Sequence, residues 1–398
     1  MSLMGVWMWP ESVRAHGAER AAALCAGMGV SDIYFLTKGL TGVVSYKSGI
    51  APCDQGPDLL RGLLDAAHRR GIRVHAWFTS ASDESYKALH PESGRCHLTR
   101  GRDQGIISLA HEGYMAYQQQ VIGELCRRYD IDGLHLDYIR YNHLMYGWDE
   151  NDLARYKNAG ADTEHVIGLI RRTFLNGDKN EPQCVFDALR QGDRSVRAVA
   201  DVRRADVLRF ARRMIDAARA EKNDLILSAA LMPEGAYEDT AFADLHYGQS
   251  YEDAAVLYDH VLPMAYSKAY EKDSAWVRQV ALGTLKKGCR AVIGLHAFDG
   301  GTLRSLAEDI AALDGLAVDG CCLFRAGAFV PIFRDGAVCT LYNALSVPVT
   351  ALRADAGGDI LGGPVMPGEE KCFALPCPLE TLHAYSGGTE VCGFITNA

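Results

Sequence analysis

His135 and Asp137 stand two residues apart in the segment Asp132-Gly133-Leu134-His135-Leu136-Asp137-Tyr138-Ile139-Arg140-Tyr141. The segment reads as a buried strand that ends in polar and charged side chains. A strand inside a parallel sheet is expected to be apolar along its length. A carboxylate where such a strand leaves the core is costly unless something uses it. Side chains alternate faces along a strand, so Gly133, His135 and Asp137 share one face, and Leu134, Leu136 and Tyr138 share the other. The leucines suit packing against helices, which directs His135 and Asp137 into the interior of a barrel with Asp137 uppermost. A carboxylate placed there can act as a general acid, a general base or a nucleophile. The plainer alternatives are a hydrogen-bonded core histidine at His135 and a buried partner for Arg140, or for a lysine, at Asp137.

The elements around this segment alternate in type. Strand-like runs fall at 5–10, 31–36, 72–79, 133–139, 225–231, 261–266, 291–296 and 320–324. Helical periodicity fills 12–28, 57–70, 112–129, 195–222, 274–287 and 302–313. Alternation of this kind predicts an α/β fold, a (β/α)8 TIM barrel, with Asp137 at the C-terminal rim where such barrels keep their chemistry. An open doubly wound sheet is the other architecture considered. No glycine-rich phosphate loop follows the first strand, which counts against it.

Two regions depart from the alternation. Residues 142–194 are polar, with one short amphipathic piece near 163–174, and read as an insertion on the rim after the fourth strand. From about 337, short strand-like runs at 350–353, 371–375 and 391–396 are separated by Gly-Gly and Pro-Gly turn signals. The predicted organisation is a barrel over 4–335 and a small C-terminal all-β domain over 336–398.

The chain has 398 residues, 48% hydrophobic and 23% charged, with a net charge of −9. That acidity argues against nucleic acid or an anionic membrane surface as partner. No apolar run is long enough to predict a membrane span. The twelve cysteines are scattered, include the adjacent pair Cys321 and Cys322, and show no zinc-type spacing. Several, such as Cys25 and Cys126, fall on apolar helix faces, the pattern of buried reduced thiols. With no basic-then-apolar leader in view, the expected location is cytoplasmic.

The segment DGLHLDYIRY resembles the fourth-strand signature of glycoside-hydrolase-like TIM-barrel families, the glycosyl-hydrolase-like 10 proteins and their relatives, distant kin of the α-amylase-type barrels. VLPMAYSKAY at 261–270 resembles their sixth strand and VHAWF at 74–78 their third. The resemblance spans roughly 4–330. It implies a carbohydrate-facing site with a catalytic-type carboxylate at Asp137. In amylase-type barrels the matching aspartate is the nucleophile, whereas other barrel glycosidases keep the acid/base there, so either role is open for Asp137.

Glycoside hydrolysis of the usual kind needs a second carboxylate, about 5 Å away for retention or roughly 6.5–9.5 Å away for inversion. Glu234, just past the fifth strand, is the first candidate, since amylase-type barrels place their acid there; its alternative is an exposed loop glutamate. Asp299, past the seventh strand, is the second; its alternative is a cap for the helix near Thr302. Asp83 and Glu84 are weaker candidates. Sugars also need flat apolar faces. Trp7, Trp9, Trp77, Tyr138, Tyr141 and Tyr266 lie at or near predicted strand ends, although such rings can equally cap a barrel core. His135, Arg140, Lys268, His296 and Arg325 are candidate hydroxyl or carboxylate binders.

No HExxH, P-loop or GxSxG motif is present. His75, His135, Asp137 and His296 could converge on a metal in a barrel mouth. Trp7 and Trp9, however, hold the first-strand positions where metal-dependent barrels often carry histidines. The expectation is a glycosidase without metal or cofactor, acting on a carbohydrate. The alternatives are a non-catalytic glycan-binding barrel and a metal-dependent barrel hydrolase.

Overall fold

The computed structural model describes residues 3–175, 183–335, 337–355, 357–374 and 382–397. Eight parallel strands close into a barrel: Leu3–Met8, Asp32–Lys38, Arg73–Thr79, Gly133–Asp137, Ile226–Leu231, His260–Ala265, Val292–His296 and Gly320–Phe324. The first pairs with the eighth, setting Val6 opposite Leu323, and so closes the ring. All eight predicted strands are present, shifted by at most a residue or two at their ends. The fourth stops at Asp137 because Tyr138 takes a left-handed backbone, φ 51°.

The alternation along the fourth strand sorts its side chains as expected. Leu134 and Leu136 join the large apolar cluster between strands and helices. The barrel interior holds a second, smaller cluster that includes Trp7, Tyr34, Trp77, Leu262 and Cys322. Gly133 must be a glycine: a Cβ there would meet His75 Nδ1 at 2.2 Å and the Ile226 carbonyl oxygen at 2.6 Å.

Most helices match their sequence signals. Asp58 caps Leu59–His68, Asp273 caps Ser274–Lys286, and Thr302 caps Leu303–Ala311. The predicted helix over 12–28 is instead two, Pro10–His16 and Ala18–Gly27, divided at Gly17 where φ is 75°. The loop after the third strand carries an unanticipated hairpin, Gly94–His97 with Gly101–Ile107. Both its strands are short and rich in polar residues, so they carry no alternation to read.

The rim insertion is more structured than its composition suggests. The described part folds as three helices, Glu150–Asn158, Thr163–Phe174 and Cys184–Arg190; residues 176–182 lie outside the described residues. These helices share a core built from Tyr156, Val166, Ile170 and Phe186, joined by Val196 and Val199 of the long helix Arg194–Glu221. Each short helix buries only one stripe, which leaves its sequence polar overall.

The C-terminal strands form two sheets. Val330–Asp335, Val338–Tyr342, Glu370–Ala374 and Gly393–Asn397 make one, and Ala351–Ala354, Leu382–Ser386 and Thr389–Val391 the other. The first of these strands precedes residue 336. Leu375, at the end of the predicted run 371–375, lies outside the described residues. No described cysteine is in a disulfide, and Cys25, Cys126, Cys321 and Cys322 are buried. No described helix is long and apolar enough to cross a membrane.

Candidate active site

A cleft of about 600 Å³ opens at the C-terminal ends of the barrel strands. Cavities of this size are usual for small-molecule sites. Asp137, Tyr138 and Arg140 line one side of it; Trp7, Trp9, Trp77, Tyr266, Met264 and Phe324 supply an apolar and largely aromatic floor.

Asp137 is 5% exposed. Its Oδ1 accepts the Tyr138 backbone N–H at 2.6 Å and its Oδ2 accepts the Trp77 indole N–H at 3.0 Å. Burial pushes its carboxyl above the usual range, and the Arg140 charge and these two donors pull it back only in part. Among the described residues it makes no ion pair, so the buried partnership with Arg140 or a lysine is not formed. The left-handed backbone at Tyr138 turns the chain so that its N–H faces the preceding carboxylate. A bulky residue with positive φ is strained, and such strain gathers at functional sites.

Arg140 is held by rings rather than by carboxylates. Its guanidinium lies 4.8 Å from the Tyr138 ring centroid and 5.8 Å from that of Tyr247, and its buried Nε has no hydrogen-bond partner among the described residues.

His135 is fully buried beneath the cleft. The Trp7 indole N–H donates to its Nε2 at 3.1 Å. An indole nitrogen can only donate, so His135 carries its proton on Nδ1 and donates to Ser228 Oγ at 2.9 Å. Burial holds its pKa well below the ordinary value and keeps it neutral. It fixes Trp7 from below and does not line the cleft.

Glu234 sits in a short turn, Pro233–Ala236, just past the fifth strand. It is partly buried, not the exposed loop residue of the plainer reading. The Tyr270 hydroxyl donates to its Oε1 at 3.4 Å, and its Oε2 is buried with no partner among the described residues. Burial raises its pKa; the Tyr270 hydroxyl and the Arg140 charge oppose this. Both raised carboxyls therefore feel the same guanidinium. Glu234 is not on the cleft wall.

The remaining candidates scatter. Asp299 is exposed and off the wall, and the helix after it is capped by Thr302 with Ser305. The Asp299 carbonyl accepts from His296 Nε2 at 2.8 Å, and the His296 ring stacks on Phe298 at 3.8 Å. Lys268 is exposed and also off the wall. Arg325 lies over the Trp9 ring at 3.5 Å and so borders the cleft through it. Tyr141 belongs to the seam between barrel and insertion: it is 1% exposed, donates to Asp206 at 2.7 Å, and lies under Arg203 at 3.7 Å. Asp83 is a brace, fully buried, paired with Lys38 at 3.3 Å and capping the helix Glu84–Leu89; Glu84 is exposed.

His75 is occupied elsewhere, with Nε2 2.8 Å from Asp32 Oδ1 near the opposite end of the barrel. Among the described residues no group of three or more His, Cys, Asp or Glu side chains is placed to hold a metal ion.

Sequence reading missed Phe324, Met264 and the segment 39–45. Phe324 was within reach of it, since alternation puts Gly320, Cys322 and Phe324 on the inward face. The segment 39–45 carries no periodicity. It lines the cleft above the second strand, one strand removed from Asp137's, with Gly39, Leu40, Thr41, Val43, Val44 and Ser45.

A closed (β/α)8 barrel with a buried carboxylate at the mouth of its fourth strand is an architecture shared by many glycoside hydrolases. The chain belongs to the family described as glycosyl hydrolase-like 10, whose model matches residues 39–287. It is 27% identical over 139 residues to "Glycosyl hydrolase YngK" of Bacillus subtilis (strain 168), a match that takes in 33% of this chain and 27% of that protein. The chain thus spans about a quarter of that relative's length. Among solved structures, it is similar to the PgaB (BpsB) glycoside hydrolase domain from Bordetella bronchiseptica, with a TM-score of 0.66, 14% identity, and 82% of this chain and 94% of that one covered. It is also similar to the catalytic domain of a beta-amylase from Paenibacillus polymyxa, with a TM-score of 0.56, 11% identity, and 81% and 92% covered. At these identities the structural likeness concerns the fold.

Proposed function

We propose that the protein is a glycoside hydrolase cleaving a bond of an oligosaccharide or polysaccharide, with Asp137 as the proton donor to the leaving oxygen. One observation carries this reading: a carboxyl raised by burial, with no ion pair among the described residues, faces an aromatic-floored cleft. A carboxylic acid kept protonated by a dry setting is the form a general acid needs. The Tyr138 and Trp77 N–H groups favour the ionised form. They stabilise the carboxylate that remains once the proton has left, so they act late in the transfer.

Glu234 is the proposed second carboxylate, acting on water or on the anomeric carbon. Among the described residues its Oε2 has no partner and is free to accept, and the Arg140 charge acts on it as on Asp137. Its position off the cleft wall favours a second reading, a barrel that binds glycans without cleaving them, since fold alone does not carry chemistry.

Reducing-end release from a panel of polysaccharides separates the two. Wild-type protein is expected to release sugar from at least one glycan, and Glu234→Gln to lose most of that rate. Binding without release in wild type would favour the glycan-binding reading. Release that survives Glu234→Gln would remove Glu234 from the pair.

A further inference from the structure

Leu40 and Val43 are 46% and 39% exposed, and both line the cleft. They belong to a segment most of whose backbone carbonyls are engaged, with the exposed Thr41 hydroxyl accepting from the Val43 N–H. The Leu40 carbonyl accepts from the Glu84 N–H, and the Thr41 carbonyl from the Ser85 N–H and, at 2.7 Å, from its hydroxyl. Gly39 N–H donates to the Val43 carbonyl, and the Ser45 and Val44 N–H groups donate to Thr37 and Pro52. Ser45 Oγ donates to the Leu36 carbonyl at 3.0 Å. The segment is also pinned from behind: Gly42, at φ 84°, lies so close to Asp83 that a Cβ would fall 2.0 Å from its Oδ1. Asp83 is itself tied to Lys38, which donates to the Thr79 and Ser82 carbonyls.

The result is a preformed wall that offers aliphatic surface and few free donors. Sugar hydroxyls pressed against it would lose water without gaining partners. Branched aliphatic side chains also lack the flat face on which a pyranose ring stacks. The wall and Asp137 line one cavity, so a ligand placed for proton transfer has Leu40 and Val43 in the same cleft.

We propose that this wall is an aglycone subsite, and that the substrate joins its sugar to an alkyl or aryl group lying against Leu40 and Val43. The proposal rests on the hydrolase reading above. In the reaction the anomeric C–O bond breaks, water supplies the oxygen of the new bond, and the leaving oxygen takes the Asp137 proton. The apolar group departs as an alcohol or phenol, and the water proton returns the site to its starting state.

The test is equilibrium binding to the full chain carrying Asp137→Asn, followed by tryptophan fluorescence. The probes are methyl, butyl and octyl β-D-glucosides, the matching galactosides, and 1-octanol. Each buried methylene is worth about fourfold in affinity at most, so at least tenfold tightening from methyl to octyl is expected. With Leu40→Gln and Val43→Thr added, the gain should shrink to about threefold or less. Both side chains are exposed, so the fold should survive, as thermal melting would show. An absence of binding, an affinity indifferent to chain length, or a dependence unchanged by the two substitutions would overturn the subsite. Failure of the hydrolase reading shows differently: wild-type protein that releases no sugar from any glycan while the chain-length dependence persists.

Discussion

The two walls of the cleft are built on opposite principles. On the fourth-strand wall, polar groups are left partly unpartnered: among the described residues Asp137 has no ion pair and the Arg140 Nε–H no acceptor, and Tyr138 holds a left-handed backbone. On the second-strand wall, most backbone carbonyls are bonded away and the exposed Leu40 and Val43 give the cavity aliphatic surface beside Thr41. Unspent polar groups and backbone strain cost stability, and the barrel concentrates them where bonds would change. The second wall contributes shape and apolar surface, which select a ligand without acting on it. The difference teaches where to look for chemistry in this molecule: at groups the fold leaves unsatisfied.

The largest expected effect is on the fourth-strand wall. Asp137→Asn should lower glycan turnover by about 10²–10⁴-fold, the range a general acid supplies. Its melting temperature should fall modestly while the fold survives, because the amide nitrogen must face one of the two N–H groups that the carboxyl oxygens accept, Tyr138 N–H or Trp77 Nε1–H. A variant that loses activity only by unfolding would make Asp137 structural.

Next in size is the brace behind the second wall. Lys38→Met leaves Asp83 buried without its cation and should destabilise the protein by about 3–5 kcal/mol, read as a shift in the urea midpoint. A stable Lys38→Met protein would mean the wall is held by its backbone bonds alone.

A smaller effect sharpens the role of Asp137. Trp77→Phe removes a donor that favours the ionised carboxyl, so the Asp137 pKa should rise further. Catalysis by the protonated acid is lost as pH climbs through that pKa, so the alkaline limb of kcat/KM should move to higher pH in the variant. A limb that stays put would separate Asp137 from the titration. The smallest effect belongs to the second wall: Leu40→Gln is an exposed change and should alter stability by no more than about 0.5 kcal/mol, while weakening any ligand that reaches the wall.

Much of this contrast was legible in the sequence, and the missing parts share a physical cause. Alternation over Gly133 to Asp137 placed His135 and Asp137 inside the barrel, and the tryptophans at strand ends proved to floor the cleft. Those readings used the period-2 pattern of single strands, a local property. The second wall escaped because Leu40 and the pair Val43-Val44 follow no helix or strand period, and the segment is shaped by contacts to Asp83, Glu84 and Ser85 far along the chain. Tyr141 follows the strand end directly, where a ring can serve as a sugar platform or equally cap the barrel core. It is instead covered where Arg203 of the long helix packs onto it. The relation of Glu234 to Arg140 is likewise tertiary and leaves no spacing to read. The glycosyl hydrolase-like resemblance of the fourth strand, in contrast, is borne out by the family match.

The most direct test of Asp137 as proton donor compares leaving groups in one variant. Asp137→Asn should lose about 10²–10⁴-fold on an oligosaccharide whose leaving oxygen must be protonated. It should lose far less on a dinitrophenyl glycoside of the same sugar, whose leaving group departs as a stable anion. Equal losses on both substrates, or none on either, would contradict the account.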